Sequence, residues 1–110
     1  MQAAQRYVVF DLETTGLSWR GGDRVIEIGA VAVEGSSVAG EFHSLVRTGR
    51  AIHPAAQRVH GISEEMLEGH PEAPQVFSSF HRFIEGSVLV AHNATFDVNF
   101  LRNEFHLAGL

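Results

Sequence analysis

The spacing of the apolar residues changes half-way along this 110-residue chain, and that change limits the fold more than any other feature. The first half has dense β-branched and aromatic runs separated by turn residues, which predict strands over residues 7–12, 24–34 and 38–46. The second half has apolar residues at helical spacing around one short buried run, residues 88–91. We therefore expect an α/β fold in which an antiparallel three-strand meander and one further strand form a mixed sheet with flanking helices.

Proline and glycine mark the ends of the predicted helices. Residues 54–60 begin with proline and are followed by Gly61, a pattern typical of a short helix. Pro74 is suited to the first turn of a helix that stops at Gly86, and a last helix is predicted over residues 94–107.

The composition excludes several classes of site and leaves a metal-dependent enzyme open. Without cysteine the chain has no disulfide framework, thiolate metal site or cysteine nucleophile. No apolar run is long enough to span a bilayer, so we expect a soluble, cytoplasmic protein without a membrane partner. Eight basic residues, all arginine, against 13 acidic residues give a net charge of −5, which argues against strongly electrostatic binding of duplex grooves. Carboxylates clustered around metal ions could still reach a phosphate.

Three acidic residues lie at or just beyond the ends of predicted strands. Asp11 and Glu13 are two residues apart and project from one face of the first strand, where carboxylate oxygens can hold hard cations. Asp97 lies in the first turn of the last helix, just beyond another strand. Taken singly, each has an ordinary interpretation, a solvated strand end or a favourable charge at a helix N-terminus. Together they point to one crevice, because parallel strands of an α/β sheet bring such ends together.

Other candidate residues are weaker. Gly61 would let a tight turn hold the imidazole of His60 over a groove, although a surface histidine is the commoner case. Phe96 could stack on a base or belong to the core. Glu27 could face the acidic crevice or be an ordinary hydrogen-bonded acid.

Four strings in one order resemble a known family. They are Val9-Phe-Asp-Leu-Glu-Thr-Thr-Gly-Leu17, Ile26-Glu-Ile-Gly-Ala30, Val59-His-Gly-Ile62 and His92-Asn-Ala-Thr-Phe-Asp97. The chain resembles DEDDh-type 3′–5′ exonucleases of ribonuclease H-like fold, especially those related to the epsilon subunit of DNA polymerase III.

The resemblance implies roles for individual residues. Asp11 and Glu13 match the first exonuclease motif and Asp97 the acid of the second, which in the family are catalytic residues that bind two Mg²⁺ or Mn²⁺ ions. The residues that match segments lining the groove for the 3′-terminal nucleotide are Thr14, Thr15, Gly16, Leu17, His60 and Phe96.

The resemblance also implies a truncated domain over residues 1–110, because the family's third motif is missing. That motif, a histidine followed five residues later by aspartate, supplies the general base and the fourth carboxylate. His92 and Asp97 have that spacing but lie in the context of the second motif. We therefore expect the N-terminal two-thirds of the domain, without the C-terminal part of the fold and nearly inactive alone.

The function implied is a metal-dependent 3′–5′ exonuclease that removes nucleotides from single-stranded 3′ ends of DNA, or of RNA, in proofreading or repair. A DNA polymerase subunit is an implied partner. Two alternatives stay open: a non-catalytic module that binds nucleic-acid ends or a polymerase, and a phosphoesterase acting on short oligonucleotides.

Overall fold

The computed structural model describes residues 4–110, so residues 1–3 of the predicted domain lie outside it. The elements in chain order are β1 (Arg6–Thr14), β2 (Val25–Glu34), β3 (Ser37–Leu45), α1 (Pro54–His60), a 3₁₀ turn (Glu65–Leu67), α2 (Ala73–Phe83), β4 (Ser87–Ala91) and α3 (Ala94–Leu107). No helix between residues 4 and 110 is long and apolar enough to cross a membrane.

The strands form one mixed sheet in the order β3-β2-β1-β4. Strands β1, β2 and β3 pair antiparallel, and β4 pairs parallel to β1. Gly35, with φ of 60°, makes the tight turn between β2 and β3. The predicted meander with one further strand is confirmed, and the strand ends differ from the prediction by two residues at most.

Helices α2 and α3 pack together on one face of the sheet. The alternating β1 residues Val8, Phe10 and Leu12 contact this layer, which contains the fully buried rings of Phe77 and Phe80. Burying one such ring stabilises the fold by about 1.5–3 kcal/mol.

The opposite face of the sheet is open. Tyr7 and Val9 of β1 and Val88 and Val90 of β4 are each between 41% and 47% exposed there. Because β1 and β4 are parallel, their carboxyl ends lie at the same edge of the sheet. This edge is where the candidate site is assembled.

A buried ion pair fixes α3 against the start of β2. The carboxylate of Glu104, 1% exposed, accepts hydrogen bonds from Arg24 Nε at 3.0 Å, from Arg24 Nη2 at 2.7 Å and from the amide of Val25 at 3.0 Å. The helix that carries Asp97 is thereby held by its other end.

Candidate active site

Strand β1 carries two acids to the open face of the sheet. Its side chains alternate, so Phe10 and Leu12 enter the core while Asp11 and Glu13 point the other way. Asp11 is exposed and Glu13 is partly buried. The sequence prediction that these two acids share one face is confirmed.

Asp97 approaches these acids from the first turn of α3. Strand β4 ends at Ala91, the register partner of Phe10, and the chain enters α3 after only two residues. The side chain of Asp97 is buried. Burial raises the pKa of Asp97 and the negative charge of Asp11 raises it further, against a backbone hydrogen bond with Asn93 and the nearby His92. Asp11 and Asp97 therefore lie within electrostatic range of one another. That they share one cation stays a prediction.

Glu13 is coupled to the same charges. Burial is the largest cause that raises the pKa of Glu13, and the negative charge of Asp11 is the next. His60 lowers this pKa, and the charges of Glu27 and Asp97 make smaller contributions that raise it. Asp11, Glu13 and Asp97, hereafter the acid cluster, are thus one electrostatic unit.

A groove of about 170 Å³, hereafter the small groove, begins at Glu13. Its lining residues are Leu12, Glu13, Thr14, Gly16, Leu17, Ala56, Val59, His60 and Phe96. Five of the six residues assigned to substrate binding by resemblance line it. A larger groove of about 530 Å³ adjoins it and shares Gly16, Leu17, Ala56 and Val59.

Thr15 departs from its predicted place. Its side chain is completely buried, and its hydroxyl donates to Asp23 Oδ1 at 2.9 Å and accepts from the amide of Arg24 at 3.0 Å. The neighbouring Thr14 donates to the carbonyl of Gly16 at 2.7 Å and does line the small groove. Thr15 therefore stabilises the loop after β1 from its buried side. Its hydroxyl bonds Asp23 and Arg24 and does not face the groove.

His60 lies in the wall of the small groove with both ring nitrogens engaged. Its Nδ1 accepts from the amide of Ile62 at 3.0 Å, which leaves Nε2 to donate to the carbonyl of Thr14 at 3.1 Å. Gly61, with φ of 72°, makes the turn that allows this. A ring held in this tautomer ties α1 to β1 and has no free nitrogen to accept a proton from water.

Phe96 packs against the core and also lines the small groove, and stacking of its ring on a base stays a prediction. The centroid of its ring lies 4.8 Å from the ring centroid of the fully buried Phe100, and Phe96 also lines the small groove. The core contact fixes the orientation of the ring, so the groove wall is rigid at this point.

Glu27 pairs with a histidine beside the acid cluster. It is the cross-strand neighbour of Glu13 in the β1–β2 register, and its Oε2 lies 2.8 Å from His43 Nε2. Both predicted environments of Glu27 therefore apply, because it is hydrogen-bonded and its charge also reaches Glu13.

A family model described as an exonuclease matches residues 8–110, nearly the whole chain. The chain belongs to the exonuclease family. The matched region includes the acid cluster and both grooves.

Two curated relatives give the family closer context. The chain is 52% identical over 105 residues to a DNA polymerase III subunit epsilon-like protein of Rhodobacter capsulatus, covering 94% of this chain and 15% of that protein. It is 45% identical over 101 residues to the DNA polymerase III subunit epsilon of Treponema pallidum, covering 92% of this chain and 46% of that protein. The chain therefore spans less than half the length of either relative.

A solved structure confirms the fold of this exonuclease-family chain. Apo exonuclease I superposes with a TM-score of 0.85 at 16% identity, over 94% of this chain and 25% of the other. The likeness supports the predicted ribonuclease H-like architecture.

Exonuclease-family proteins generally depend on divalent metal ions, and the acid cluster has suitable donors. Carboxylate oxygens are the preferred ligands of hard cations, and a cation would relieve the repulsion that raises the pKa of Glu13 and Asp97. Within residues 4–110, no three His, Asp or Glu side chains are grouped closely enough to hold an ion as they stand. Metal binding by Asp11, Glu13 and Asp97 therefore stays a prediction.

Sequence reasoning missed two acids that support the site, Asp23 and Glu104. Both are buried, at 3% and 1% exposure, and both accept several hydrogen bonds. An acid among the apolar residues of α3 was the available signal for Glu104, whereas Asp23 follows two glycines and resembles any loop aspartate.

Proposed function

We propose that residues 8–110 are the part of a metal-dependent 3′–5′ exonuclease domain that carries the first two carboxylate motifs. The substrate is the single-stranded 3′ end of DNA, with RNA as the other possible polymer. The observation that supports this most strongly is the joining of the acid cluster to the small groove through Glu13. A terminal nucleotide in that groove would place its phosphate next to the acids.

Two groups of residues have different proposed roles: the acid cluster would bind metal ions, and the apolar residues of the small groove would contact the nucleotide. Asp11, Glu13 and Asp97 would hold Mg²⁺ or Mn²⁺, which when bound activates water and stabilises the leaving oxygen. Leu17, Val59 and Phe96 offer apolar surface to a base, and stacking on the aromatic ring of Phe96 would be indifferent to base identity. Contacts confined to one nucleotide fit a chain whose net charge is −5.

We further propose that the general base and fourth carboxylate come from outside residues 8–110. His60 has no free ring nitrogen, and the spacing of His92 to Asp97 belongs to the second motif. A general base typically contributes a factor of about 10²–10⁴ in rate, so the 110-residue chain alone should be slow.

The test is degradation of single-stranded DNA carrying a label at one end or the other, with Mg²⁺ or Mn²⁺. The chain is compared with a fusion to the following segment of the R. capsulatus relative. The fusion should shorten the DNA from its 3′ end, and Asp11→Ala should slow it by roughly 10²–10³-fold, the loss typical of one electrostatic contact to a transition state. Glu41→Ala is the control, because this acid lies on the same sheet face and on a different strand. Equal activity of the Asp11→Ala and Glu41→Ala variants would refute the proposal.

Both ring nitrogens of His60 are bonded to the backbone, so neither can act as a general base. This favours one alternative, a module that binds nucleic-acid ends or a polymerase without cutting. The curated relatives named as DNA polymerase III subunits supply the partner class. Tight binding of 3′ ends by the fusion with no cleavage would select this alternative. A rate that rises as the oligonucleotide is shortened would select a phosphoesterase.

A further inference from the structure

We propose that Asp23 is a positioning residue that sets the separation of the two walls of the small groove. The inference rests on the proposed function, because it concerns how that groove receives a 3′ end.

The carboxylate of Asp23 brackets the loop that forms one wall. Its Oδ1 accepts from the Thr15 hydroxyl at 2.9 Å, and its Oδ2 accepts from the Ser18 amide at 3.0 Å. The two residues between these anchors are Gly16 and Leu17, which line both grooves. Leu17 is 86% exposed, so it lacks packing of its own to fix its position.

The same carboxylate reaches the segment that leads into the other wall. Arg50 Nε lies 3.4 Å from Asp23 Oδ1, and His53 Nε2 lies 3.6 Å from it. His53 immediately precedes α1, the helix that carries Val59, and its amide donates to the Thr15 carbonyl at 2.8 Å. One buried charge thus links the loop after β1 to the start of α1.

Gly16 shows how closely this link is packed. A Cβ built on Gly16 would lie 2.5 Å from Asp23 Oδ2 and would also collide with the ring of His53. Asp23 lines the larger groove but not the small groove, where the terminal nucleotide is proposed to bind, and it is not part of the acid cluster. Its effect on catalysis should therefore pass through the seating of the nucleotide and leave the chemical step alone.

The charge state agrees with this arrangement. Burial alone would raise the pKa of Asp23, but the Ser18 amide, the Thr15 hydroxyl, Arg50 and His53 outweigh burial and lower it. The carboxylate is therefore ionised at neutral pH, with both oxygens available as acceptors.

The experiment measures kcat and KM for single-stranded DNA with the active fusion. Asp23→Asn keeps the shape but replaces one acceptor oxygen with a donor. It should raise KM about tenfold with kcat at saturation unchanged, a change that corresponds to about 1.4 kcal/mol of binding free energy. In a Leu17→Ala background the same substitution should raise KM less than threefold, because the exposed side chain whose position depends on Asp23 is then already truncated. Glu34→Gln, which removes an acid paired with Arg6 at the other end of β1, should leave KM unchanged.

Several outcomes would overturn the proposal: an unchanged KM in Asp23→Asn, an equal rise in Glu34→Gln, or an undiminished effect in the Leu17→Ala background. If Asp23→Asn does not fold, Thr15→Val removes one donor at nearly constant shape and should raise KM in the same direction. Hydrogen exchange of the Ser18 and His53 amides tests the same link without an activity measurement, because both amides donate hydrogen bonds within it. A wild-type fusion without activity would refute the proposed function, whereas unchanged protection of both amides in Asp23→Asn would refute the positioning role by itself.

Discussion

The ion pair between Glu104 and Arg24 should carry a large share of the stability of α3. Removing one partner of a buried pair typically costs about 3–5 kcal/mol, because the other charge is left without compensation. Arg24 is 27% exposed at its side chain and can regain water, which places Glu104→Ala near the lower limit, about 3 kcal/mol. Glu104→Gln keeps an acceptor for the Val25 amide, so we expect a loss of about 2 kcal/mol.

The measurement is urea unfolding followed by circular dichroism, with m expected to stay constant. In a domain of this size each kcal/mol corresponds to a fall of about 4 °C in Tm, which gives an independent reading. Glu72→Gln is the matched control, because Glu72 also pairs with an arginine, at 3.0 Å, but both side chains are more than half exposed. Exposed pairs contribute about 0–1 kcal/mol.

A double-mutant cycle with Arg24→Met separates the pair from the Val25 hydrogen bond. Contacting residues show coupling energies of about 0.5–3 kcal/mol, and we expect this pair near the upper end. A loss of less than about 1 kcal/mol in Glu104→Gln, equal to that of Glu72→Gln, would refute the claim that burial makes this pair strong.

Three further predictions concern the site. Gly16→Ala should cost about 1–3 kcal/mol through overpacking, whereas Gly49→Ala, with open space around its Cβ, should be neutral in the same thermal melt. Because the pKa of Asp97 is raised, the contribution of Asp97 to stability is present below its unfolded pKa and is lost as pH rises through its folded pKa. In metal-free buffer Asp97→Asn should therefore raise Tm at pH 7 and make Tm depend less on pH. An unchanged Tm would contradict the coupling of Asp97 to Asp11. His60→Ala should lower Tm as well as weaken binding of a labelled 3′ end, since both ring nitrogens bond the backbone; weaker binding at constant Tm would show a direct contact instead.

The fold and the placement of Asp11 and Glu13 on one sheet face were predictable because they follow from local patterns. Alternation along β1 places Asp11 and Glu13 on one face of the sheet. The connection of two residues between β4 and α3 keeps Asp97, in the first turn of α3, close to the carboxyl end of β4. Ser63 and the acids that follow it favour a helix over residues 64–68, but only the 3₁₀ turn Glu65–Leu67 forms there, because one turn gains too few backbone hydrogen bonds to offset the cost of nucleation.

The supporting contacts could not be predicted because they join residues far apart in the chain. Thr15 has the same residue type as Thr14, and only the position of Asp23 eight residues later decides that one faces the groove and the other faces inward. Glu104 and Arg24 are 80 residues apart, and no periodicity encodes that meeting.

The alternation of β1 also limits which changes of length this domain can accept in the course of evolution. Asp11 lies between two core residues, so inserting or deleting one residue just before it would turn the acids into the helix layer and the core side chains outward. The turn at Gly35, exposed and distant from both grooves, has no such restriction. Lineages should therefore vary freely in length at the hairpin between β2 and β3 while β1 keeps a fixed count of residues.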